Sequence, residues 1–252
     1  MSQSEILTPT YEIGTTSFYE SHVRPVVVEF LGTTILVFLV CMFPATSSTI
    51  YQSAFVYGFA TLFLIVSFGD ISGGHFNPAI TLGCTVAGAL SIPLSVCYFF
   101  AQILGGMLGA AFVRAVYPLK IYKTIVGGST VLNIMQGMKP GWGVMTEALL
   151  TFIIVLTFLH SVVDKRSKLA PLSVGVSVAA CSFVGAFPTG GSMNPARSLG
   201  PAIAFSVYSD YVDDLIWKYH YIYWVGPLAG TLFAALMYRF VLASVNRRIR
   251  LL

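Results

Sequence analysis

Long apolar segments separated by short polar ones dominate the chain. Each apolar segment is long enough to cross a hydrocarbon core of roughly 30 Å as a helix, which takes about 20 residues. The six segments cover residues 25–45, 50–70, 91–116, 143–161, 169–187 and 219–243. The pattern predicts an all-α integral membrane protein with six transmembrane helices.

Two shorter segments carry almost the same eight residues. GGHFNPAI occupies residues 73–80 and GGSMNPAR occupies residues 190–197. In each, an Asn that can cap a helix precedes a Pro, which favours the first helical position, and two glycines permit a tight approach loop. The segments 77–90 and 194–207 correspond to about 14 residues, or roughly 21 Å of helix. Because this length cannot span a bilayer, both are predicted to be re-entrant half-helices.

The repetition extends through both halves of the chain. Glu29 in VEFLGT has a counterpart at Glu147 in TEALLT. Each half, 25–116 and 142–243, holds three spans and one half-helix, and residues 117–141 connect the halves outside the cell. Three is an odd number, so the second half must enter the membrane upside down relative to the first. Such inverted repeats place their sites near the bilayer midplane.

Composition and charge agree with this assignment and exclude several functions. The chain of 252 residues is 56% hydrophobic and 10% charged, whereas a soluble domain has about 25% charged residues. The net charge of +4 arises mostly in the tail 244–252 and the loop 162–168, so we expect no nucleic-acid partner. The sequence has no nucleophile–base set, metal-ligand spacing or phosphate loop, which argues against an enzyme, a metal or a cofactor.

The distribution of Lys and Arg predicts the topology. Residues 1–24 are polar and lack an apolar signal-peptide core, so no cleaved signal is expected and the first span directs insertion. The positive-inside rule favours cytoplasmic N- and C-termini, and we expect the plasma membrane as host, with an intracellular membrane left open. The predicted cytoplasmic bases are Arg24, Lys165, Arg166, Lys168, Arg247, Arg248 and Arg250, and those on the other side are Lys120, Lys123, Lys139 and Lys218.

Two half-helices whose N-termini converge would create a site that repels cations. Helix N-termini carry unsatisfied N–H groups and roughly half a positive charge. The amides of Asn77 and Asn194 can donate to a passing oxygen, and a water molecule that accepts from both points its own hydrogens outward, which interrupts proton hopping. Arg197 adds a full positive charge where an unpaired Arg is costly, and this indicates a watery constriction.

These motifs make the chain similar to the aquaporins, in the major intrinsic protein family, over residues 25–243. The segment NPARSLGPA at 194–202 and the repeated Glu strengthen the resemblance, which is closest to the animal aquaporin-8 type. It implies an hourglass of six helices and two half-helices, a homotetramer with one pore per subunit, and passive flow of water, ammonia and hydrogen peroxide. The implied pore constriction comprises Asn77, Pro78, Ala79, Asn194, Pro195 and Ala196.

The resemblance also places a narrow outer filter at Tyr57, Ser182, Gly191 and Arg197. Water-selective members have a His at the position of Ser182, where it narrows the pore. The smaller Ser182 and the bare Gly191 therefore predict a wider filter that passes water and small neutral solutes such as ammonia, hydrogen peroxide or urea. Glycerol facilitators typically have Asp after the filter Arg, whereas this chain has Ser198, which favours the water branch. Because the filter itself is open, glycerol conduction stays as the alternative.

Three further polar residues lie within or beside the spans. An intramembrane carboxylate must find partners, and the resemblance implies that Glu29 and Glu147 accept hydrogen bonds from the re-entrant loops. His75 is either a loop-packing residue or a cytoplasmic pore-lining residue whose protonation modulates flow.

Architecture alone also fits an inverted-repeat secondary transporter or a non-conducting junctional protein.

Overall fold

The computed structural model describes residues 17–42, 50–164, 168–208 and 216–243, and these residues form helices and turns without a strand. Some sequence-predicted features lie outside the described residues: positions 1–16 of the N-terminal tail, the loop bases Lys165 and Arg166, and the tail 244–252 with Arg247, Arg248 and Arg250.

The helices follow the predicted order of spans and half-helices. They are α1 Arg24–Met42, α2 Ile50–Ser72, α3 Pro78–Val86, α4 Ile92–Val116, α5 Leu119–Thr124, α6 Pro140–Phe158, α7 Ala170–Gly185, α8 Pro195–Ser206 and α9 Ile222–Met237. Short π-helical turns, Tyr19–Val23, Leu159–Val163 and Tyr238–Leu242, extend α1, α6 and α9. Within the described residues, five helical segments are long and apolar enough to cross a membrane, and α7 is a shorter apolar helix of 16 residues. The predicted all-α membrane fold is confirmed.

The first helical segment begins earlier than the sequence predicts. The sequence pattern predicts a polar tail that reaches residue 24, but a π-helical turn starts at Tyr19 and runs directly into α1. An ion pair of 2.6 Å joins Arg24 to Glu20 one turn before it. Oppositely charged residues four apart stabilise a helix, and this pair supports the added turn.

Within each half, the first and third spans pack against each other through a glycine, and the two glycines occupy equivalent positions. In the first half, Gly105 of α4 lies on the carbonyl oxygen of Phe30 in α1, where a Cβ would overlap it. In the second half, Gly230 of α9 lies in the same way on the carbonyl oxygen of Ala148 in α6. Small residues let membrane helices approach closely. The inverted repeat therefore extends from the sequence to the packing.

The two half-helices differ in where they end. The first was expected to reach residue 90 but stops at Val86, because Gly88 adopts a left-handed φ of 74°. The N–H of Gly88 donates to Thr85 at 2.9 Å and that of Ala89 donates to Cys84 at 2.8 Å, which is the Schellman termination. The second half-helix, Pro195–Ser206, matches its predicted range closely.

Candidate channel site

Asparagine caps define the start of both half-helices. The Oδ1 atom of Asn77 accepts from the N–H of Ala79 at 2.8 Å. The Oδ1 atom of Asn194 accepts from the N–H groups of Ala196 at 3.0 Å and Arg197 at 3.2 Å. Both caps have extended backbones and are followed directly by Pro. The local sequence thus fixes the two helix starts by N-capping.

The side-chain nitrogen of each capping Asn donates to a carbonyl in the opposite half of the chain. Asn77 donates from Nδ2 to the carbonyl oxygen of Met193 at 2.9 Å, and Asn194 donates from Nδ2 to the carbonyl oxygen of Phe76 at 3.0 Å. The two bonds are reciprocal, since each acceptor directly precedes the other cap. A side-chain amide nitrogen has two hydrogens, so each Asn retains one further N–H.

The residues that accept these bonds have unusual backbones. Phe76 has a φ of 48° and Met193 a φ of 54°, in the left-handed region that costs an L-residue about 1–2 kcal/mol. Both side chains are buried, and the Phe76 ring lies against Gly32, where a Cβ would overlap it. Packing therefore maintains a strained turn at the point where the halves meet, as is common at functional sites.

Glu29 binds the first re-entrant loop. Its carboxylate accepts from the backbone N–H groups of His75 at 3.0 Å and Phe76 at 2.6 Å. It also accepts from the hydroxyl of Ser72 at 2.6 Å and from Nε2 of Gln102 at 2.8 Å. The side chain is fully buried, and four donors compensate for its loss of hydration.

Glu147 makes the equivalent contacts with the second loop. It accepts from the N–H groups of Ser192 at 3.0 Å and Met193 at 2.7 Å, and from the hydroxyl of Thr189 at 2.6 Å. Like Glu29, it is fully buried. Each carboxylate therefore binds the strained residue of its own loop, Phe76 or Met193, which also accepts a hydrogen bond from the cap of the opposite half.

Three of the four predicted filter residues lie close together around the second loop. The hydroxyl of Tyr57 donates to the carbonyl oxygen of Ser192 at 2.9 Å. Gly191, with a φ of 60°, packs on the backbone of Ser182, and a Cβ at this glycine would lie 2.8 Å from the Ser182 oxygen. Tyr57 and Ser182 are both buried. The side of the site near Ser182 and Gly191 therefore has little side-chain bulk.

Arg197, the fourth predicted filter residue, is held by the segment that connects the two halves. Its Nη1 atom donates to the carbonyl oxygen of Gly128 at 2.8 Å and lies 3.7 Å from Sγ of Cys41. Sequence reasoning missed Gly128, although the adjacent pair Gly127-Gly128 is a turn signal. The connecting segment is thus part of the site.

The turn that presents this carbonyl has three consecutive left-handed residues. The φ angles are 52° at Val126, 61° at Gly127 and 77° at Gly128. A positive φ is common for Gly but is an outlier for a β-branched residue. Gly128 also lies against Cys41, where a Cβ would come within 2.5 Å of the Cys41 Cβ. Two glycines permit both the conformation and the close approach.

Tyr122 lies beneath this turn. Its ring is fully buried, and its centroid is 5.7 Å from that of Phe205 in α8. Its hydroxyl has no hydrogen-bond partner among the described residues. Burial raises the pKa of Tyr122 to about 12, so the phenol stays neutral at physiological pH. The connecting segment, predicted only as a link, packs into the second half through this residue.

Ser198, which follows Arg197, is oriented toward the loops. Its hydroxyl contacts that of Thr130 at 2.7 Å and that of Ser192. The side chain is fully buried. The position after Arg197 therefore links the connecting segment to the second re-entrant loop.

His75 is packed into the first loop. Its Nδ1 atom lies 3.1 Å from the hydroxyl of Thr81. Its ring meets those of Tyr98 and Phe158 edge-on, with centroids 5.5 and 5.4 Å away. Only 7% of the residue is exposed. The position equivalent to His75 in the second half is Ser192, whose hydroxyl contacts Ser198 in the same way.

Comparisons with known proteins agree with this architecture. The sequence matches the family described as Major intrinsic protein over residues 16–238. It is 34% identical to aquaporin-8 of Notomys alexis over 239 residues, covering 92% of this chain and 87% of the relative. It is 35% identical to aquaporin-5 of Sus scrofa, covering 87% of this chain and 81% of the relative.

A solved structure has the same fold. The X-ray structure of the aquaglyceroporin from Plasmodium falciparum superimposes with a TM-score of 0.72 at 26% identity, covering 86% of this chain and 96% of that one. The family match and these relatives identify the chain as a multi-pass membrane channel for water or small solutes, and not an enzyme. The chain belongs to the major intrinsic protein family.

Proposed function

We propose that this protein is a passive transmembrane water channel that excludes protons and ions. The observation that carries the proposal is the reciprocal pair of bonds between the half-helix caps, from Asn77 to Met193 and from Asn194 to Phe76. The pair holds two positive helix ends face to face, which repels cations. The remaining N–H of each amide can donate to the same water molecule, and this orientation interrupts proton hopping.

The contacts of the buried carboxylates argue against a coupled transporter. Ion coupling in an inverted-repeat transporter would use an available intramembrane carboxylate. Glu29 accepts four hydrogen bonds and Glu147 accepts three, mostly from re-entrant loop groups. We therefore assign both carboxylates a role in supporting the loops.

We assign the selectivity filter to Tyr57, Ser182, Gly191 and Arg197. Tyr57 and Arg197 supply its bulk and its polar character, and each donates a hydrogen bond to a backbone carbonyl that fixes its position. Ser182 and Gly191 add little bulk to the filter, since one side chain is small and the other absent. The filter is therefore wide enough for small neutral solutes such as ammonia, hydrogen peroxide or urea in addition to water.

Glycerol is a second candidate substrate, favoured by the open side of the filter at Ser182 and Gly191. The solved relative from Plasmodium falciparum is an aquaglyceroporin. Ser198 argues for the water branch, because its buried hydroxyl binds Thr130 and Ser192 and does not offer a polar group to a larger solute.

We further propose a homotetramer in the plasma membrane, with one pore per subunit and cytoplasmic termini. An apolar groove of about 400 Å³ between α2 and α7 leaves a face that a neighbouring subunit can cover. Native mass spectrometry tests the assembly, since one chain weighs 27.3 kDa and the complex should weigh four times as much. A monomer mass under mild detergent would contradict it.

The functional test is stopped-flow light scattering on proteoliposomes, with a pH-sensitive dye inside the vesicles. Osmotic shrinkage should be much faster than in empty vesicles, while the internal dye should respond to a pH step no faster than it does in empty vesicles. Proton flux above that of empty vesicles would contradict the proposed function, as would shrinkage no faster than theirs.

A further inference from the structure

Two arginines occupy equivalent positions at the ends of the third spans. Arg114 lies in the last turn of α4, and Arg239 lies in the π-helical turn after α9. They are 125 residues apart, the separation that also relates Tyr98 to Tyr223. Both are half-buried. Neither belongs to the caps or to the proposed filter.

Each third span runs along the half-helix of the opposite half. On α4, Gly106 lies on the start of α8, where a Cβ would be 2.6 Å from the carbonyl oxygen of Ala196. On α9, the equivalent residue Thr231 donates its hydroxyl to the carbonyl oxygen of Ala79 in α3 at 3.3 Å. Eight residues beyond each contact, about 12 Å along a helix, the span reaches the far end of that half-helix, and the residue there is the arginine.

Arg239 contacts the end of α3 directly. Its Nη1 atom donates to the carbonyl oxygen of Val86, the last residue of that half-helix, at 3.3 Å. Gly88 makes the approach possible, because a Cβ there would lie 2.7 Å from the same nitrogen. A cation at a helix C-terminus satisfies a free carbonyl and complements the macrodipole.

Arg114 reaches the end of α8 through an aromatic ring. Its guanidinium carbon lies 4.7 Å from the ring centroid of Tyr208, two residues beyond Ser206 at the end of α8, and 5.7 Å from that of Tyr122. Its Nη1 atom also donates to the carbonyl oxygen of Tyr117 at 3.2 Å. Such cation–π contacts are attractive. Arg114 therefore joins the end of α8 to the connecting segment.

We propose that Arg114 and Arg239 are positioning residues that hold the outer ends of the two half-helices, so that the caps Asn77 and Asn194 meet in register. Their charges also offset the negative helix ends that would otherwise face the two mouths of the channel. The inference rests on the proposed function, since its consequence for transport is read as water flow.

The test compares Arg239→Gln and Arg114→Gln in the full-length protein in proteoliposomes. Arg24→Gln is the matched control, because it removes the same charge from an exposed ion pair with Glu20. Hydrogen exchange should rise in peptides covering 78–90 for Arg239→Gln and in peptides covering 195–208 for Arg114→Gln. The rise in exchange should be roughly two- to fivefold, the change in a local opening equilibrium that a charge at a helix end is typically worth, and water permeability should fall in each variant. The control should change neither.

Arg239→Lys adds a smaller perturbation at the same site. It keeps the charge but loses the planar donor group of Arg, so it should restore most of the permeability and show the same local exchange pattern at lower amplitude. If Arg239→Gln does not fold, the exchange pattern of Arg239→Lys still tests the role of Arg239.

Two results would overturn the inference: exchange that rises equally in both half-helices, or exchange and permeability that match those of the control. Failure of the proposed function is a separate outcome, recognised when the unmodified protein itself moves no water. The half-helix-specific exchange pattern remains readable in that case.

Discussion

Arg197 and Gly128 are 69 residues apart and are joined by a hydrogen bond of 2.8 Å from the guanidinium Nη1 to the backbone carbonyl. The bond connects the second half-helix to the segment between the halves. Because Gly128 lies in a left-handed turn that begins at Val126, the position of Arg197 depends on a strained loop as well as on the spans.

Substituting Gly128 with Ala should displace this carbonyl and change solute selection. The new Cβ would be 2.5 Å from the Cβ of Cys41, and the φ of 77° disfavours any side chain. Gly137→Ala is the matched control, since its φ is 87° but nothing lies within 4 Å of the added Cβ. The ratio of urea to water permeability should change in Gly128→Ala only. An equal change in both variants would show that backbone strain alone is responsible.

The two cap asparagines should be energetically coupled. Loss of an N-cap typically costs about 1 kcal/mol, and each Asn→Ala change also frees a buried carbonyl in the opposite loop. Asn77→Ala and Asn194→Ala should each lower thermal stability, and the double variant should cost less than the sum. Coupling energies for residues in one network are about 0.5–3 kcal/mol. Additive effects in a double-mutant cycle would contradict the reciprocal arrangement.

Replacing Glu147 with Gln should destabilise the second loop. The amide keeps one acceptor oxygen, but its NH₂ group faces backbone donors, and hydrogen bonds to a charged group are worth about 1.5–3 kcal/mol each. We expect a clear drop in the thermal midpoint and loss of water permeability. Glu20→Gln, in an exposed ion pair, should shift the midpoint little. A midpoint for Glu147→Gln that equals the control would rule out the supporting role.

Removing the hydroxyl of Tyr122 should stabilise the protein. The group is buried and has no hydrogen-bond partner among the described residues, and such a group costs about 1–3 kcal/mol. Tyr223→Phe provides the contrast, because that hydroxyl donates to Thr189 at 2.7 Å and its loss should destabilise. Thermal unfolding at pH 7 measures both. A lower midpoint for Tyr122→Phe would show that the hydroxyl does have a partner.

The same residue should contribute to alkaline sensitivity. Burial raises the pKa of Tyr122 from 10.0 to about 12, so the folded state favours the neutral phenol. Its contribution is fully present below about pH 10 and is lost as the pH rises through about 12. Between pH 10 and pH 12, the thermal unfolding midpoint of Tyr122→Phe should fall less steeply with pH than that of the unmodified protein. Parallel curves would contradict the assignment.

The sequence predicts the fold and the half-helix starts because local rules determine them. The Asn-Pro pairs at 77 and 194 specify a cap and a first helical residue, and the odd number of spans in each half requires inversion. The end of α3 was less predictable, since the Schellman turn at Gly88 ends the helix at Val86, four residues before the predicted end at 90. The helical turn at Tyr19 was hidden within a segment of polar composition.

The contribution of the connecting segment was not predictable from its composition. Gly128, Tyr122 and Thr130 reach the site only through tertiary contacts with α1 and α8. The pair of arginines at 114 and 239 was equally hidden, because its meaning depends on which half-helix each third span packs against.

The most direct test of the channel account measures the ratio of urea to water permeability in proteoliposomes for the unmodified protein, Ser182→His and Ser173→His. Ser173 lies on the exposed face of the same helix, so its variant controls for the added imidazole. Urea should enter through the unmodified protein and the Ser173 variant, while Ser182→His should block urea and still conduct water. Exclusion of urea by the unmodified protein, or urea entry unchanged in Ser182→His, would contradict the wide filter.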